Sequence, residues 1–66
     1  MIDGFGNTLY AGDIVEDADG QLWLVRNDGL KRRGDWAPIE KASEMRVVNS
    51  ETGLSREQRA DLGLKP

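Results

Sequence analysis

Residues 21–27 constrain the fold more than any other part of the sequence. They read Gln-Leu-Trp-Leu-Val-Arg-Asn, a composition typical of a β-strand. Because side chains alternate across a strand, Trp23 and Val25 share one face while Leu22 and Leu24 share the other. Both faces are apolar, so both must be covered. The cover comes from curvature of a sheet, from another segment of the chain or from a partner.

The preceding residues predict a hairpin with this strand. Residues 13–17 predict its first strand, and Asp19-Gly20 is a turn signal because glycine readily adopts the positive φ of tight hairpin turns. Asp28-Gly29 predicts a second turn of the same kind. We expect residues 30–34, which contain a run of three basic residues, to form an exposed loop or hairpin tip.

The residues on either side of these hairpins predict the rest of a sheet. Residues 35–39 predict a strand that Pro38 places at an edge or an end of the sheet. Residues 40–44 predict a single helical or 3₁₀ turn, and residues 45–49 predict the final strand. Near the N-terminus, residues 8–10 predict a short first strand, with Leu9 and Tyr10 as the buried candidates.

Residues 50–66 predict a tail with a short helix over 55–63. Ser55 is a good N-cap, Gln58 completes a capping box, and Gly63 ends the helix. A helix of about two turns is marginal in water unless it docks. We expect its apolar side chains to cover Leu22 and Leu24 or to meet a second copy of the chain. These side chains are Leu54, Ala60, Leu62 and Leu64.

The opening hairpin resembles that of SH3-like barrels. The resemblance is carried by Gly12-Asp13-Ile14-Val15, then Asp19-Gly20, then Trp23-Leu24-Val25. Two later segments are similar to the closing strands of those domains. They are Trp36-Ala37-Pro38-Ile39 and Met45-Arg46-Val47-Val48.

The fold prediction combines this resemblance with the strand pattern. It is mainly β: a small SH3-like antiparallel β-barrel over residues 1–49, followed by the helical tail. Its interior is filled by Val15, Trp23, Val25 and Val47. The size, the lack of cysteine and the helical tail also resemble small proteins encoded by bacteria and their phages.

Composition narrows the chemistry. The 66 residues contain no cysteine and no histidine, which argues against disulfides, a structural zinc site and histidine-activated nucleophiles. We therefore predict no enzyme activity, no cofactor and no metal. The formal net charge is −3, which argues against a dedicated nucleic-acid binder. No apolar run suits a membrane span and residues 1–7 do not read as a signal peptide, so we expect a cytoplasmic protein.

Two sets of side chains are candidates for protein binding. Tyr10, Trp36 and Pro38 would form an aromatic ledge across which an extended peptide lies. The alternative is that Tyr10 plugs the end of the barrel and Trp36 is core volume. Leu54 and Leu62 of the tail are the second set, on a spare apolar element.

Two charged clusters are weaker candidates. The basic residues Arg26, Lys31, Arg32 and Arg33 form a patch suited to phosphate contacts, or a solvated hairpin tip. The acidic residues Asp13, Glu16, Asp17 and Asp19 lack the ligand spacing of a calcium loop and read as solvated turn residues.

Two functional hypotheses follow. The first is a non-catalytic binding or accessory module that docks a protein partner through an edge strand, the aromatic ledge or the C-terminal helix. The alternative is a nucleic-acid-associated factor that uses the basic patch. We expect a monomer or a weak homodimer in either case.

Overall fold

The computed structural model describes residues 2–64, which form one antiparallel sheet followed by a short helix. The strands are β1 (Asp13–Glu16), β2 (Leu22–Arg26), β3 (Gly29–Arg32), β4 (Asp35–Ala37) and β5 (Arg46–Ser50). A 3₁₀ helix (Ile39–Glu44) joins β4 to β5, and a 3₁₀ turn (Glu51–Gly53) leads to α1 (Arg56–Leu62). The strands lie in the order β4-β3-β2-β1-β5, so the last strand returns beside the first.

The mainly-β prediction is confirmed as a five-stranded antiparallel sheet with a short helix. The strand pairing is that of an open sheet, with β4 and β5 at its two edges, and it does not close into a barrel. Pro38 follows directly on edge strand β4, as the missing N–H of proline requires. The predicted turn at Asp19-Gly20 is also present, with Gly20 at φ +82°.

One face of the sheet holds a larger core. Val15 and Val25 are buried there, and Trp23 and Val47 pack against them half-buried, so the predicted interior is confirmed. The 3₁₀ helix closes this core with Ala42. The other buried members are Leu9, Leu30 and Met45.

The opposite face holds a smaller core under α1. Ile14, Leu24 and Leu62 are buried together. Leu22, Leu54 and Leu64 pack against them. The helix therefore docks as predicted, except that Ala60 is exposed and takes no part. Ser55 and Gln58 form the predicted capping box, and Gly63 ends the helix in the left-handed conformation.

Two local predictions are wrong, and a third is correct only in part. Arg33 and Gly34 form the predicted exposed hairpin tip, but residues 30–32 belong to β3, and Leu30 is fully buried on the same face as Val25. Residues 8–10 form no strand; Thr8 makes an isolated bridge with Ile2. Tyr10 does not plug a core, because 68% of its surface is exposed.

Candidate functional site

A row of side chains crosses the sheet on the face that carries α1. Ile14 pairs with Leu24, Leu24 with Lys31, and Lys31 with Trp36, and directly paired residues share one face of an antiparallel sheet. The helix buries the first half of this row against Leu62. The second half is more open: Lys31 is half-buried and Trp36, on edge strand β4, is 54% exposed.

The exposed indole of Trp36 is nevertheless held in place. Its Nε1–H donates to the main-chain carbonyl of Asp28 at 3.1 Å. The ring lies across Gly29, where a Cβ would come within 2.8 Å of Trp36 Cε2 and 2.7 Å of the Ala37 carbonyl oxygen. Only glycine leaves room for this approach. The sequence pair Asp28-Gly29 therefore positions the tryptophan.

The tip of the β3–β4 hairpin is fastened to the end of α1. Arg33 and Gly34 have φ angles of +32° and +83°, the pattern of a tight two-residue hairpin turn. The main-chain N–H of Arg33 donates to the Leu62 carbonyl at 2.8 Å, and its guanidinium donates to the Ala60 carbonyl at 3.0 Å. The last carbonyls of a helix lack partners within the helix and attract cations. The arginine thus caps α1 from another element.

These features enclose a groove of about 300 Å³, which we call the Trp36 groove. Its lining consists of residues 31–36 of the β3–β4 hairpin, residues 62–64 at the end of α1, and Leu24 between them. Within the described chain, the lining has three cations and one carboxylate, that of Asp35. The groove therefore joins an aromatic ring and leucine side chains to a basic rim.

The four residues of the predicted basic patch each have a partner inside the chain. Arg26 donates twice to the carboxylate of Glu51, at 3.1 and 3.3 Å. Lys31 lies 3.1 Å from Asp28, and this hydrogen bond holds the pKa of the Asp28 carboxyl below its ordinary value.

Arg32 is the member of the patch that departs most from the prediction. Its side chain is buried, with its guanidinium 5.8 Å from the centre of the Trp23 ring and 3.3 Å from the Asp61 carboxylate. It lies two residues along β3 from Leu30 and so shares the face of the larger core. Burial of this charge is possible because the guanidinium lies near the Trp23 ring and donates to the Asp61 carboxylate and to the Leu22 carbonyl.

The residues of the predicted aromatic ledge differ in their relation to this groove. Trp36 lines the groove, whereas Tyr10 and Pro38 are exposed and do not line it. Tyr10 lies in the turn before β1, where its main-chain N–H donates to the Asp13 carboxylate at 2.8 Å. The other two predicted binding residues, Leu54 and Leu62, pack inward on the smaller core.

In the predicted acidic cluster, the carboxylate of Asp17 stabilises a turn. Asp17 accepts main-chain N–H groups from Asp19 and Gln21, both at 2.9 Å, and the Trp23 indole N–H at 3.0 Å. Burial raises the pKa of Asp17, but these hydrogen bonds outweigh it and leave the pKa below its ordinary value. Among residues 2–64, no three carboxylates lie close enough together to hold a metal ion.

Sequence reasoning missed a second structured surface, at the N-terminal loop. The carboxylate of Asp3 is buried and accepts hydrogen bonds from Asn7, from Val47 and from the main chain of Phe5, and the side-chain bond from Asn7 is the largest cause of a strongly lowered pKa. The loop that it orders carries Phe5, which is 73% exposed. The signal was Asp3-Gly4, a pair typical of turns in which the Asp side chain binds nearby main chain.

No helix within residues 2–64 has the length and apolar character needed to cross a membrane. Comparison with protein-family models, with curated proteins and with solved structures finds no match.

Proposed function

We propose that this chain is a small non-catalytic protein-binding module and that the Trp36 groove is its binding surface. The observation that carries the proposal is an ordered indole, 54% exposed, at an open sheet edge beside the end of α1. Tryptophan is among the residues that contribute most to protein interfaces. A ring that is already fixed loses little conformational freedom when a partner covers it.

The groove unites three features that favour peptide recognition. Within residues 2–64, edge strand β4 has no strand on its outer side and offers main-chain groups to an extended segment. Trp36 offers apolar area next to that edge. Leu62 and Leu64 form the facing wall. This arrangement gives the C-terminal helix a supporting role, because Leu62 is buried in the domain and shapes the groove from within.

We also propose that the fold is SH3-like. The support is the strand order, in which β5 returns beside β1, and the 3₁₀ helix that joins β4 to β5. Both features agree with the resemblance of the opening hairpin and the closing strands to those of SH3-like barrels. The proposal concerns architecture and carries no ligand class with it.

The geometry favours protein binding over nucleic-acid binding. A phosphate-binding patch needs cations that are free to displace counterions. Here Arg26, Lys31 and Arg32 are each paired with a carboxylate, and Arg33 is engaged with the Ala60 carbonyl. The proposal of a non-catalytic role is supported by the absence of histidine and cysteine from the sequence.

The proposal is tested with a library of random displayed peptides selected on the purified chain. We expect selected peptides to shift the amide and indole signals of residues 31–36 and 62–64. Trp36→Ala should weaken their binding about tenfold or more, because it removes the central apolar contact. Tyr10→Ala is the matched control, an exposed aromatic outside the groove, and should leave binding unchanged.

Two results would contradict the proposal. The first is the absence of any selected peptide whose binding depends on Trp36. The second is a salt-sensitive shift of the Lys31–Arg33 amides by an oligonucleotide, which would favour the nucleic-acid hypothesis.

A further inference from the structure

We infer that a second copy of this chain occupies the Trp36 groove, and that it does so by inserting its N-terminal loop with Phe5. The inference rests on the proposed function, since it uses the same groove and names the partner. Its evidence is a match between two surfaces of the molecule. One is the groove; the other is a rigid loop that presents an aromatic ring.

The loop of residues 2–8 is fastened at several points. The Asp3 carboxylate accepts the main-chain N–H groups of Phe5 and Asn7, both at 2.8 Å, and of Val47 at 2.9 Å. Gly4 donates to the Met45 carbonyl at 2.7 Å. The loop is thus tied to the start of β5. Phe5 is held outward by this framework, with 73% of its surface in water.

Rigid presentation of an apolar ring lowers the entropic cost of binding. A flexible loop would have to order when it met a partner, whereas this one is already ordered by hydrogen bonds. Exposing a large aromatic ring is unfavourable in water. The gain on covering Phe5 is therefore available to a partner with an apolar groove.

The surroundings of Phe5 are acidic. It borders a depression lined also by Glu16, Asp17 and Glu44, with Arg46 as the one cation among its described lining residues. Arg46 is itself paired with Glu16 at 3.5 Å. The Phe5 surface therefore combines an aromatic ring with excess negative charge.

The Trp36 groove has the complementary character. It combines Trp36 and three leucines with a rim of Lys31 and Arg33; the third cation of its lining, Arg32, is buried against Trp23 and Asp61. Within residues 2–64 no carboxylate is paired with Arg33. An incoming Phe5 ring would pack against the Trp36 indole in the offset or edge-to-face manner of aromatic pairs. The acidic side chains around it would face Arg33, the rim cation that no described carboxylate neutralises.

The described lining residues of the two surfaces do not overlap. One copy can therefore offer its loop while its own groove is filled by another copy. Such head-to-tail contact produces either a closed ring or an open chain of copies. Two copies that exchange loops reciprocally would form a dimer. The contact is small and charged, so we expect weak association that decreases with added salt.

The decisive experiment mixes two variants, Phe5→Ala and Trp36→Ala. The first retains the groove but lacks the inserted ring; the second retains the ring but lacks the groove wall. We expect the unaltered chain to sediment faster as its concentration rises from tens of micromolar to about 1 mM, while each variant alone stays monomeric. An equimolar mixture of the two should associate again, because one intact contact is restored.

Signal mapping supplies an independent readout. With ¹⁵N-labelled Phe5→Ala, unlabelled Trp36→Ala should shift signals of residues 31–36 and 62–64. A Glu44→Lys change in the Trp36→Ala partner should weaken this effect several-fold, because it reverses a charge beside Phe5. Circular dichroism checks that the variants fold. Tyr10→Ala is again the control and should associate like the unaltered chain.

The outcomes separate this inference from the proposed function. A chain that stays monomeric at every concentration overturns the inference, as does a mixture that fails to associate. If a Trp36-dependent peptide still binds, the groove remains a protein-binding site and its occupant is another protein. If neither copies nor peptides bind, both proposals fall.

Discussion

The two faces of the sheet are closed in different ways. The larger core lies on the face of Val15 and Val25 and is covered by the chain's own strands, loops and 3₁₀ helix. The smaller core, on the face of Ile14 and Leu24, is covered by one helix of seven residues. The cover of the larger core thus comes from the sheet and the segments that connect its strands, whereas the cover of the smaller core comes from the C-terminal tail.

This difference explains where the candidate site lies. A helix of seven residues is about 10 Å long and buries the row on β1 and β2. Trp36 on β4 stays more than half exposed. The face that is closed by an added element is thus the face on which Trp36 leaves apolar surface exposed. Substitutions made separately in each core test whether the two cores contribute differently to the free energy of unfolding.

The largest effect is expected for Leu30→Ala in the larger core. Leu30 is fully buried, and truncation of a buried leucine costs about 2–5 kcal/mol. A 66-residue domain has a free energy of unfolding of roughly 3–10 kcal/mol, so the variant should lose a large part of it. Urea denaturation followed by circular dichroism measures the loss. Val48→Ala, on an exposed position, should change it by less than about 0.5 kcal/mol.

A smaller effect is expected for Leu62→Ala in the smaller core. The loss should be about 2 kcal/mol, at the low end for a buried leucine, because the short helix can settle into the space left. Amide signals of α1 and of Leu24 should move while those around Val15 stay in place. Glu57→Gln, on the exposed side of the helix, is the control. A loss equal to that of Leu30→Ala, with every signal affected, would show that the two cores are one cooperative unit.

The smallest effect is expected for Asp61→Asn, which tests whether the ion pair with Arg32 helps to hold the tail on the sheet. Asp61 is half exposed and pairs with buried Arg32 at 3.3 Å, so its neutralisation should cost about 0.5–1 kcal/mol. The matched change Asp28→Asn, in a pair whose side chains are 44% and 70% exposed, should cost less in the same denaturation measurement. Equal costs for the two variants would assign no special role to the Arg32 contact.

The fold was predictable where local signals agreed. Residues 21–27 are apolar on both faces, and the structure covers both, with Val25 in one core and Leu24 in the other. The Ser55-Gln58 capping box located α1, because caps depend on side chains three residues apart. Turn and helix signals of this kind are set within a few residues and need no knowledge of the rest of the chain.

The candidate site was only partly predictable. Trp36 was named from sequence, but the predicted companions Tyr10 and Pro38 do not line the groove. Its facing wall is formed by residues 62–64, nearly thirty positions away along the chain. The basic run read as an exposed tip because charge usually marks solvent. Arg32 is instead buried against Trp23 and Asp61, contacts that exist only after folding.

Strand β3 lay within a segment predicted as a loop or hairpin tip. Sequence signals alone identified β1, β2, β4, β5, the Asp19-Gly20 turn and the capped helix, together with the need to cover both faces of β2. These features follow from side-chain alternation and from residues that prefer particular backbone angles. Short segments are therefore enough to predict them. Long-range packing, by contrast, set which exposed rings are held in place, which charges are paired and where a groove remains. Those outcomes depend on distances between segments far apart in the chain, and such distances exist only once the hairpins and the tail have packed together.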